Sequence, residues 1–495
     1  MSQTKGLTGI KGFSLMWLGQ LLSLIGTSMT GFALTIWAWL ATGQATALAL
    51  VGFFSFAPTI LFSPIAGALV DRWDRKKVLI LSDLSSGMAT ATILILYSTG
   101  SLAIWHLYVV AAISGLFQAL QWPAYSAVIT TLVPKEHYGR AQGMVSVAEA
   151  GSIIVAPILA AALLIPIGIS GIMCIDLLTM ALAIFTLLPI AIPLVVKEAK
   201  EGDKKPSLWS EIKYGFSYIT ERKGLFYLLL LFLSMNLVTS IGNPLYAPFI
   251  LSKTGNDSMA LGTVMSFLGI GGVVGGVVMA VWGGPKRKVM GIYVVMVVDG
   301  VLMMAFALSS SLLAWCFFGF FLMMVSPMLM TCSQAIWQSK VAPEVQGRVF
   351  STRRMIAQLA TPVSLLISGP LADKVFEPAM AEGGSLSSQF GSLFGVGPGA
   401  GMAMIIFIVS VISIAIAFVG YAVKPIRNLE RDIPDHDAGK KETPVPSVST
   451  EVPSDIPAKR TPRESRTLAL SVAPVAAAQS DVGSVAAETS MVLPD

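Results

Sequence analysis

Two carboxylates interrupt long apolar runs of the chain, where an acidic side chain is costly unless it serves a pathway. Glu149 follows Arg140 by nine residues, and Asp299 follows Lys288 by eleven. At about 1.5 Å per residue, Glu149 would lie about 13 Å along a helix, near the middle of an apolar layer about 30 Å thick. A carboxyl group at that depth can take up and release a proton. Both residues are therefore candidates for proton coupling.

A cluster of charges follows another apolar run in the stretch GALVDRWDRKK, residues 67–77. Basic residues in such a place mark the side of a membrane on which a loop lies. That explanation needs neither the glycine nor the first aspartate. Gly67 would let two helices approach closely, and Asp71 could meet the positive end of a helix dipole. These two residues therefore indicate a role beyond topology.

Composition determines the elements that must carry these residues. The chain has 495 residues, of which 54% are hydrophobic and only 12% are charged, and its mean hydropathy is +0.74. Soluble domains carry about twice that charged fraction. Apolar runs longer than the roughly 20 residues that span a bilayer must be helices, because lipid offers no partner to backbone polar groups. We therefore predict an all-α membrane protein with many spans.

Turn signals divide the apolar part into twelve predicted spans. They lie near residues 13–40, 48–70, 78–98, 103–132, 140–164, 171–193, 224–250, 259–282, 289–309, 312–339, 349–372 and 398–423. Loops enriched in Lys and Arg lie in the cytoplasm. Every second connection contains no Lys or Arg except Lys253 and Lys374, whereas the others carry clusters such as 75–77 and 286–288. This alternation predicts that both termini are cytoplasmic.

The chain repeats itself weakly across a charged linker. The pattern E-x-x-G-R follows the fourth and the tenth predicted spans, at 136–140 and 344–348. Two six-helix halves in the same orientation are typical of transporters built from parallel repeats. The predicted organisation is an N-terminal half at 1–193, a linker at 194–223, a C-terminal half at 224–424 and a disordered cytoplasmic tail at 425–495.

Spacing and position argue against several other classes of protein. The three cysteines fall in predicted spans, so no disulfide framework is expected. The three histidines lack the spacing of metal ligands, and no nucleotide-binding motif occurs. The basic residues lie in short loops, which is an orientation signal rather than a nucleic-acid-binding face. We therefore predict no enzyme activity, no cofactor, no metal and no nucleic-acid partner.

The charge cluster resembles a loop motif of the major facilitator superfamily, G-x-x-x-D-R-x-G-R-K/R-K/R. Here it reads Gly67-x-x-x-Asp71-Arg72-x-x-Arg75-Lys76-Lys77, with Asp74 in place of the usual glycine. The forms DRWDRKK and EVQGRVFS are similar to the macrolide-efflux-like branch of drug–proton antiporters. The resemblance covers roughly residues 10–424 and implies two six-helix halves that rock about a central cavity.

The resemblance also implies that the cluster is a latch on the cytoplasmic side. In the family the aspartate faces the start of the eleventh span, here residues 348–352, in the outward-open state. Asp83, six residues past Lys77, is expected to join this network. The predicted latch residues are Gly67, Asp71, Arg72, Arg75, Glu136, Arg140, Glu344 and Arg348.

A pattern in the fifth predicted span also resembles the drug antiporters of this family, but the match is weaker. Drug antiporters of the family carry G-x-x-x-G-P-x-x-G-G there, and this chain has Ser152-x-x-x-Ala156-Pro157-x-x-Ala160-Ala161. Small residues with a proline still permit close packing and a kink, so an interface between the halves is expected at Ser152, Ala156 and Pro157. Ordinary tight helix packing explains the pattern equally well. In the family fold the ninth span lies on the outer side of the helix bundle, away from the cavity. The alternative therefore stays open that Asp299 pairs with another side chain in a structural role.

The family fold lines its cavity mainly with the first, fourth, seventh and tenth spans. Amides and aromatic groups near mid-depth in such spans suit a large, amphipathic or weakly cationic compound. Each one alone is more simply an interhelical hydrogen bond. The predicted cavity residues are Gln20, Thr27, Gln118, Gln121, Trp122, Asn236, Asn243, Gln334 and Gln338.

These expectations describe a monomeric secondary transporter in the plasma (inner) membrane. It would export a small amphipathic compound in exchange for protons by rocker-switch alternating access. Its expected partners are that small-molecule substrate, protons and the lipid bilayer. Two alternatives stay open: a lipid or lysolipid flippase or importer on the same fold, and a non-transporting sensor or scaffold that acts through the tail.

Overall fold

The computed structural model describes residues 7, 9–70, 73–134, 137–191 and 208–435. Within these ranges the chain is helical, apart from turns and one isolated parallel bridge between Leu7 and Ile190. The predictions for Asp71, Arg72 and Glu136, and those for the tail beyond residue 435, lie outside the described residues.

The N-terminal half contains five helical stretches: α1 (Gly9–Thr42), α2 (Ala45–Val70), α3 (Arg75–Ser98), α4 (Ile104–Leu132) and α5 (Tyr138–Leu187). α5 covers the predicted span 140–164 and most of the predicted span 171–193. Gly168 inside it has φ 66° and ψ −178°, a conformation that glycine adopts without the steric cost of a side chain. This residue divides α5 into two arms, 138–167 and 169–187.

The second part of the chain begins with a helix in the predicted linker, α6 (Leu208–Glu221). It continues with α7 (Lys223–Gly242), α8 (Tyr246–Lys253), α9 (Ser258–Trp282), α10 (Lys288–Leu308), α11 (Leu312–Lys340) and α12 (Pro343–Leu371). A 3₁₀ turn at Asn243–Leu245 separates α7 from α8 within one predicted span. Pro244 lies in this turn and has no N–H to continue the hydrogen bonds of α7.

Beyond α12 the chain passes through a π-helical turn at Ala372–Phe376 and five further helices. These are α13 (Glu377–Met380), α14 (Ser387–Phe394), α15 (Ala400–Ala422), α16 (Lys424–Arg427) and α17 (Leu429–Asp432). The Gly/Ser-rich insert before the last predicted span is therefore partly helical.

The structured chain extends past residue 425, where the disordered tail was predicted to begin. Ile426 and Leu429 are buried in a hydrophobic cluster with residues of α7 and α10. Lys340 forms an ion pair with Asp435 at 2.9 Å and donates to the backbone oxygen of Glu430 at 3.2 Å. The predicted boundary is wrong because these contacts come from distant helices and leave no local pattern.

Local sequence explains several helix ends. Asp74 is the N-cap of α3, and its side chain accepts a hydrogen bond from the backbone N–H of Lys76 at 2.9 Å. Glycine, the usual residue of the resembled motif, has no side chain for this cap. Lys76 Nζ donates to the backbone oxygens of Leu188 and Ile190 at 2.7 and 2.9 Å. These carbonyls lie just past the C-terminal end of α5, where the helix dipole favours a cation.

Eleven segments of the described chain are long and apolar enough to cross a membrane, the two arms of α5 counting as one segment. Short turns join most successive segments, so the connections fall at two ends of the helices. We call the end where α2 is followed by α3 and where α9 is followed by α10 the basic end. The end with the loops at 43–44 and 254–257 is the opposite end.

Hydrophobic clusters show how the two halves meet. One cluster combines Ile36, Trp39 and Ala45 of the N-terminal half with residues of α8, α9 and α15, at the opposite end. At the basic end, one cluster contains only residues between 13 and 190 and another only residues between 219 and 429. Among the described residues, the halves therefore share a hydrophobic cluster only at the opposite end.

Candidate functional site

A cavity of about 550 Å³ lies within the N-terminal half. Its wall comes from α1–α5 and extends along α1 from Gln20 to Ala38, about 27 Å of helix against a hydrocarbon core of about 30 Å. Asp83 and Glu149 line it, and the described wall contains no Lys, Arg or His. The cavity is therefore a long crevice with acidic groups and no basic group in its described wall.

Asp83 lies in the wall of this cavity and not in a latch at the basic end. Its side chain is only 3% exposed and accepts hydrogen bonds from Gln20 Nε2 at 2.6 Å and from Gln121 Nε2 at 3.2 Å. The sequence placed Asp83 near the cytoplasmic face because depth was counted from Lys77. Since α3 already begins at Arg75, Asp83 lies about 12 Å into the helix. The structure joins it to two of the predicted cavity amides.

A second buried acid, Asp176 in the second arm of α5, binds α1 and α3 together. It accepts hydrogen bonds from Thr27 Oγ1 at 2.9 Å and from Thr90 Oγ1 at 2.7 Å. Gly26 lies so close that a Cβ on it would come within 3.0 Å of Asp176 Cα. Thr27, a predicted cavity residue, lines the cavity and turns its hydroxyl towards this carboxylate.

The polar residues form two layers with the same spacing on both helices. Gln20 and Thr27 are seven residues apart on α1, and Asp83 and Thr90 are seven apart on α3. Residues seven apart lie on nearly the same face of a helix, about 10 Å from each other along its axis. This spacing is the signal in the sequence that could have placed Asp83 in the cavity.

Of the two acids predicted to couple protons, one lines the cavity and the other does not. Glu149 in the first arm of α5 is exposed within the wall, as is Gln118 of α4. Asp299 lies in α10, is partly buried and is not part of the wall. The side chain of Trp122 lies outside the described residues.

The small residues after Glu149 lie at contacts of α5 with two neighbours. Ser152 and Ala156 are buried, and Ala156 packs in a cluster with residues of α1. Pro157 faces α9, where a Cβ on Gly262 would come within 2.8 Å of the backbone oxygen of Pro157. Since α5 and α9 belong to different halves, the proline of the pattern lies at a contact between halves and Ala156 lies within one half.

The predicted cavity residues of the C-terminal half do not belong to the described wall of this cavity. Arg353 in α12 donates to Gln334 Oε1 at 3.2 Å and to Ser333 Oγ at 3.0 Å, and its guanidinium lies 5.0 Å from the centre of the Trp337 ring. These contacts hold a cation among neutral partners. The other predicted residues are Asn236, which is partly buried, and Asn243 and Gln338, which are exposed.

The described residues of the predicted latch lie at the basic end. Arg75 begins α3, and Arg140 is exposed in the first turn of α5. Arg348 is exposed near the start of α12, with its guanidinium 5.6 Å from the centre of the Tyr214 ring of α6. Gly67 lies in α2 and Glu344 in α12, but the side chain of Glu344 is outside the described part, as are Asp71, Arg72 and Glu136.

Polar contacts join the halves at the opposite end. Asp373, in the turn after α12, accepts hydrogen bonds from the first two backbone N–H groups of α2 at 2.9 and 2.7 Å. Gly369 allows close approach there, since a Cβ on it would come within 2.3 Å of Thr46 Cα. Trp39 Nε1 donates to Asn256 Oδ1 at 2.8 Å. Sequence reasoning missed these residues because the partners are 328 and 217 positions apart.

The fold and the cavity define the class of protein. Two helical halves meet at one end, are separate in their cores at the other, and hold a polar crevice among membrane-spanning helices, as in membrane transporters. Residues 16–365 match the sequence profile of the Major Facilitator Superfamily, and the chain belongs to this family. It is a multi-pass protein of the plasma membrane.

Relatives of known name agree with this assignment. The chain is 29% identical over 372 residues to macrolide efflux protein A of Streptococcus pyogenes, which covers 73% of this chain and 90% of that protein. It is 28% identical over 335 residues to macrolide efflux protein A of Enterococcus faecalis, covering 66% of this chain and 100% of the relative. The predicted resemblance to the superfamily and to its macrolide-efflux-like branch is confirmed.

A solved structure with the same fold is a bacterial homologue of the human lysosomal transporter Spinster, in an inward-facing and unoccupied conformation. The TM-score is 0.62 at 14% sequence identity, covering 84% of this chain and 98% of that chain. At this identity the likeness shows the fold alone.

Proposed function

We propose that this protein exports a small amphipathic compound, such as a drug, a macrolide or a siderophore-like molecule, in exchange for protons. The observation that carries the proposal is the cavity of the N-terminal half, whose wall combines apolar side chains, amides and two acids. Such a wall can bury an apolar body, orient its polar groups and exchange a proton. The names of the two efflux relatives favour export over import.

Transport would follow alternating access between two arrangements of the halves. Counting the arms of α5 separately gives twelve spans, and the basic loops then belong in the cytoplasm together with both termini. Because the halves share a hydrophobic cluster only at the opposite end of the described chain, this arrangement corresponds to a cavity open towards the cytoplasm. In the other arrangement the basic end closes, and the latch of Gly67, Asp71 and Arg72 would bind the start of α12.

Glu149 is the proposed proton carrier. Its carboxylate lies in the cavity wall, where it can meet both substrate and water, and no described side chain pairs with it. Asp299 is partly buried outside the wall, against helices of the C-terminal half. A group that exchanges protons in step with substrate must be reachable from the cavity, so we assign the role to Glu149 rather than to Asp299.

Proteoliposomes of the full chain with an imposed pH gradient test the proposal. A macrolide is expected to move against its own gradient, and its movement should produce a proton flux in the opposite direction. Glu149→Gln keeps the shape of the side chain but cannot release a proton, so binding should persist while the proton flux is lost. Asp299→Asn is the matched control and should retain the flux.

Two results would count against different parts of this proposal. Macrolide-dependent proton flux that persists in Glu149→Gln would remove the assignment of the proton carrier. Wild-type vesicles that move none of a panel of amphipathic compounds in response to the gradient would remove the proposed transport.

A further inference from the structure

We propose that Asp83, held by Gln20 and Gln121, is the anchor for a protonated amine of the transported compound. This inference deepens the proposed function and rests on it, since it assigns a chemical class to the ligand of the same cavity. Asp83 lies on α3, between an amide of α1 and an amide of α4, so three helices converge on the anchor.

The charges of the cavity favour a cation. Its described wall holds the carboxylates of Asp83 and Glu149 and no basic side chain. Charges interact strongly where water is excluded, and a buried carboxylate without a cationic partner is costly. Asp83 is 3% exposed, and the hydrogen-bond partners recorded for it in the described chain are two neutral amides. A cationic ligand would supply the missing opposite charge.

The hydrogen bonds of the two amides specify what kind of cation fits. Gln20 and Gln121 both turn Nε2 towards Asp83, because a carboxylate accepts but cannot donate. Each amide keeps its carbonyl oxygen as a further acceptor. The anchor therefore offers acceptors from all three side chains. Its complement is a cation that carries an N–H, and the longer contact, from Gln121 at 3.2 Å, is the one that such a donor would replace.

The rest of the cavity wall indicates what kind of molecule carries the amine. Leu24, Leu48 and Val51 contribute apolar surface to the same wall, and Phe117 contributes an aromatic ring. About 550 Å³ falls within the range of about 300–1,000 Å³ for sites that hold a drug-sized ligand. The geometry thus points to an amphipathic amine whose N–H meets Asp83 and whose apolar part extends along α1 and α2.

Asp176 does not compete for this role. Two threonine hydroxyls already donate to it, and it is absent from the described wall of the cavity. It is also buried and belongs to the same half. These properties make it a matched control for the removal of a buried acid.

Equilibrium binding to the purified full chain tests the inference with three probes. They are a macrolide with a dimethylamino group, its N-methylated quaternary derivative, and its neutral N-desmethyl-N-acetyl derivative. The first has both charge and N–H, the second has charge alone, and the third has neither. Hydrogen bonds to charged groups predict that the first binds roughly ten- to a hundredfold more tightly than the neutral derivative, with the quaternary derivative between them.

Equal affinities for the three probes in the wild-type protein, or no binding of the tertiary amine, would overturn the inference without the use of any variant. Asp83→Asn should reduce the preference for the tertiary amine to about twofold or less, whereas Asp176→Asn should keep it. A preference that survives in Asp83→Asn would assign the amine to another group and overturn the anchor. Loss of proton-coupled movement with the amine preference intact would instead contradict the proposed coupling and leave the anchor in place.

Discussion

The contact of Asp373 with the start of α2 yields a quantitative prediction about access from the opposite end. The carboxylate accepts hydrogen bonds from the first two backbone N–H groups of α2 across the interface between the halves. It therefore caps a helix of the other half, and under the proposed alternating access it would stabilise only the arrangement in which the opposite end is closed. Removing it should raise the population in which this end is open.

The magnitude follows from the two hydrogen bonds. Loss of an N-cap side chain costs about 0.5–2 kcal/mol, and hydrogen bonds to a charged group contribute about 1.5–3 kcal/mol each when buried. Because Asp373 is only partly buried, we take about 2 kcal/mol for Asp373→Ala, which changes the ratio of the two states about 30-fold. Asp373→Asn retains one acceptor oxygen without the charge, so about 1 kcal/mol and a fivefold change are expected.

Chemical labelling of a cysteine in the cavity measures this change. Thr35 lines the cavity between the anchor and the opposite end. In the proposed orientation the opposite end faces outward, so Thr35→Cys can be labelled by a membrane-impermeant maleimide added outside the cell. The background needs Cys174→Ser, because Cys174 is exposed whereas the other two cysteines are buried. If the open state is rare, the labelling rate should rise about 30-fold in Asp373→Ala and about fivefold in Asp373→Asn.

The neighbouring residue supplies the control. Lys374 is exposed and follows Asp373 directly, so Lys374→Ala changes a charge at the same place without removing the cap. Its labelling rate should stay close to that of the parent. A rate in Asp373→Ala within about twofold of the parent would show that the cap does not hold the halves together, and would refute the reasoning.

Three further outcomes are expected from other parts of the chain. Asp74→Ala should lower the stability of the purified protein in detergent by about 1 kcal/mol, because α3 loses its N-cap, whereas Asp74→Ser should keep most of it; equal thermal unfolding of the two would contradict this. Leu429→Ala should cost about 2–4 kcal/mol because its side chain is fully buried, while a stop codon after Asp435 should leave the midpoint of thermal unfolding unchanged. Asp71→Asn should insert normally but transport slowly in vesicles, since the basic end would close less often, and wild-type rates would argue against the latch.

Much of the fold could be predicted because membrane insertion depends on local composition. Each predicted span overlaps a helix of the structure, for example 289–309 with Lys288–Leu308 and 398–423 with Ala400–Ala422. The depth of a side chain along its helix is also a matter of counting, which is why Gln20, Gln118 and Gln121 were predicted for a cavity that they line.

The direction in which a side chain points is a different quantity. It changes by about 100° per residue around a helix, and which of these directions meets a cavity or a neighbouring helix depends on how the helices pack. Asp83 illustrates this, because its side chain on α3 meets Gln20 of α1 and Gln121 of α4. Pro157 and its neighbour Ala156 show the same effect. Pro157 faces the other half, whereas Ala156 faces α1.

The sequence by itself determined that the chain lies in a membrane, where most of its apolar helices fall, the end that carries the basic loops and the family. These depend on apolar length and on charge summed over short windows, and both can be read along the chain. Only the tertiary structure decided which polar groups meet, namely Asp83 with two amides, Asp176 with two threonines, and Asp373 with α2. The partners of these carboxylates lie between 38 and 328 positions away, and their pairing depends on how the helices turn and pack, which no local pattern in the chain records.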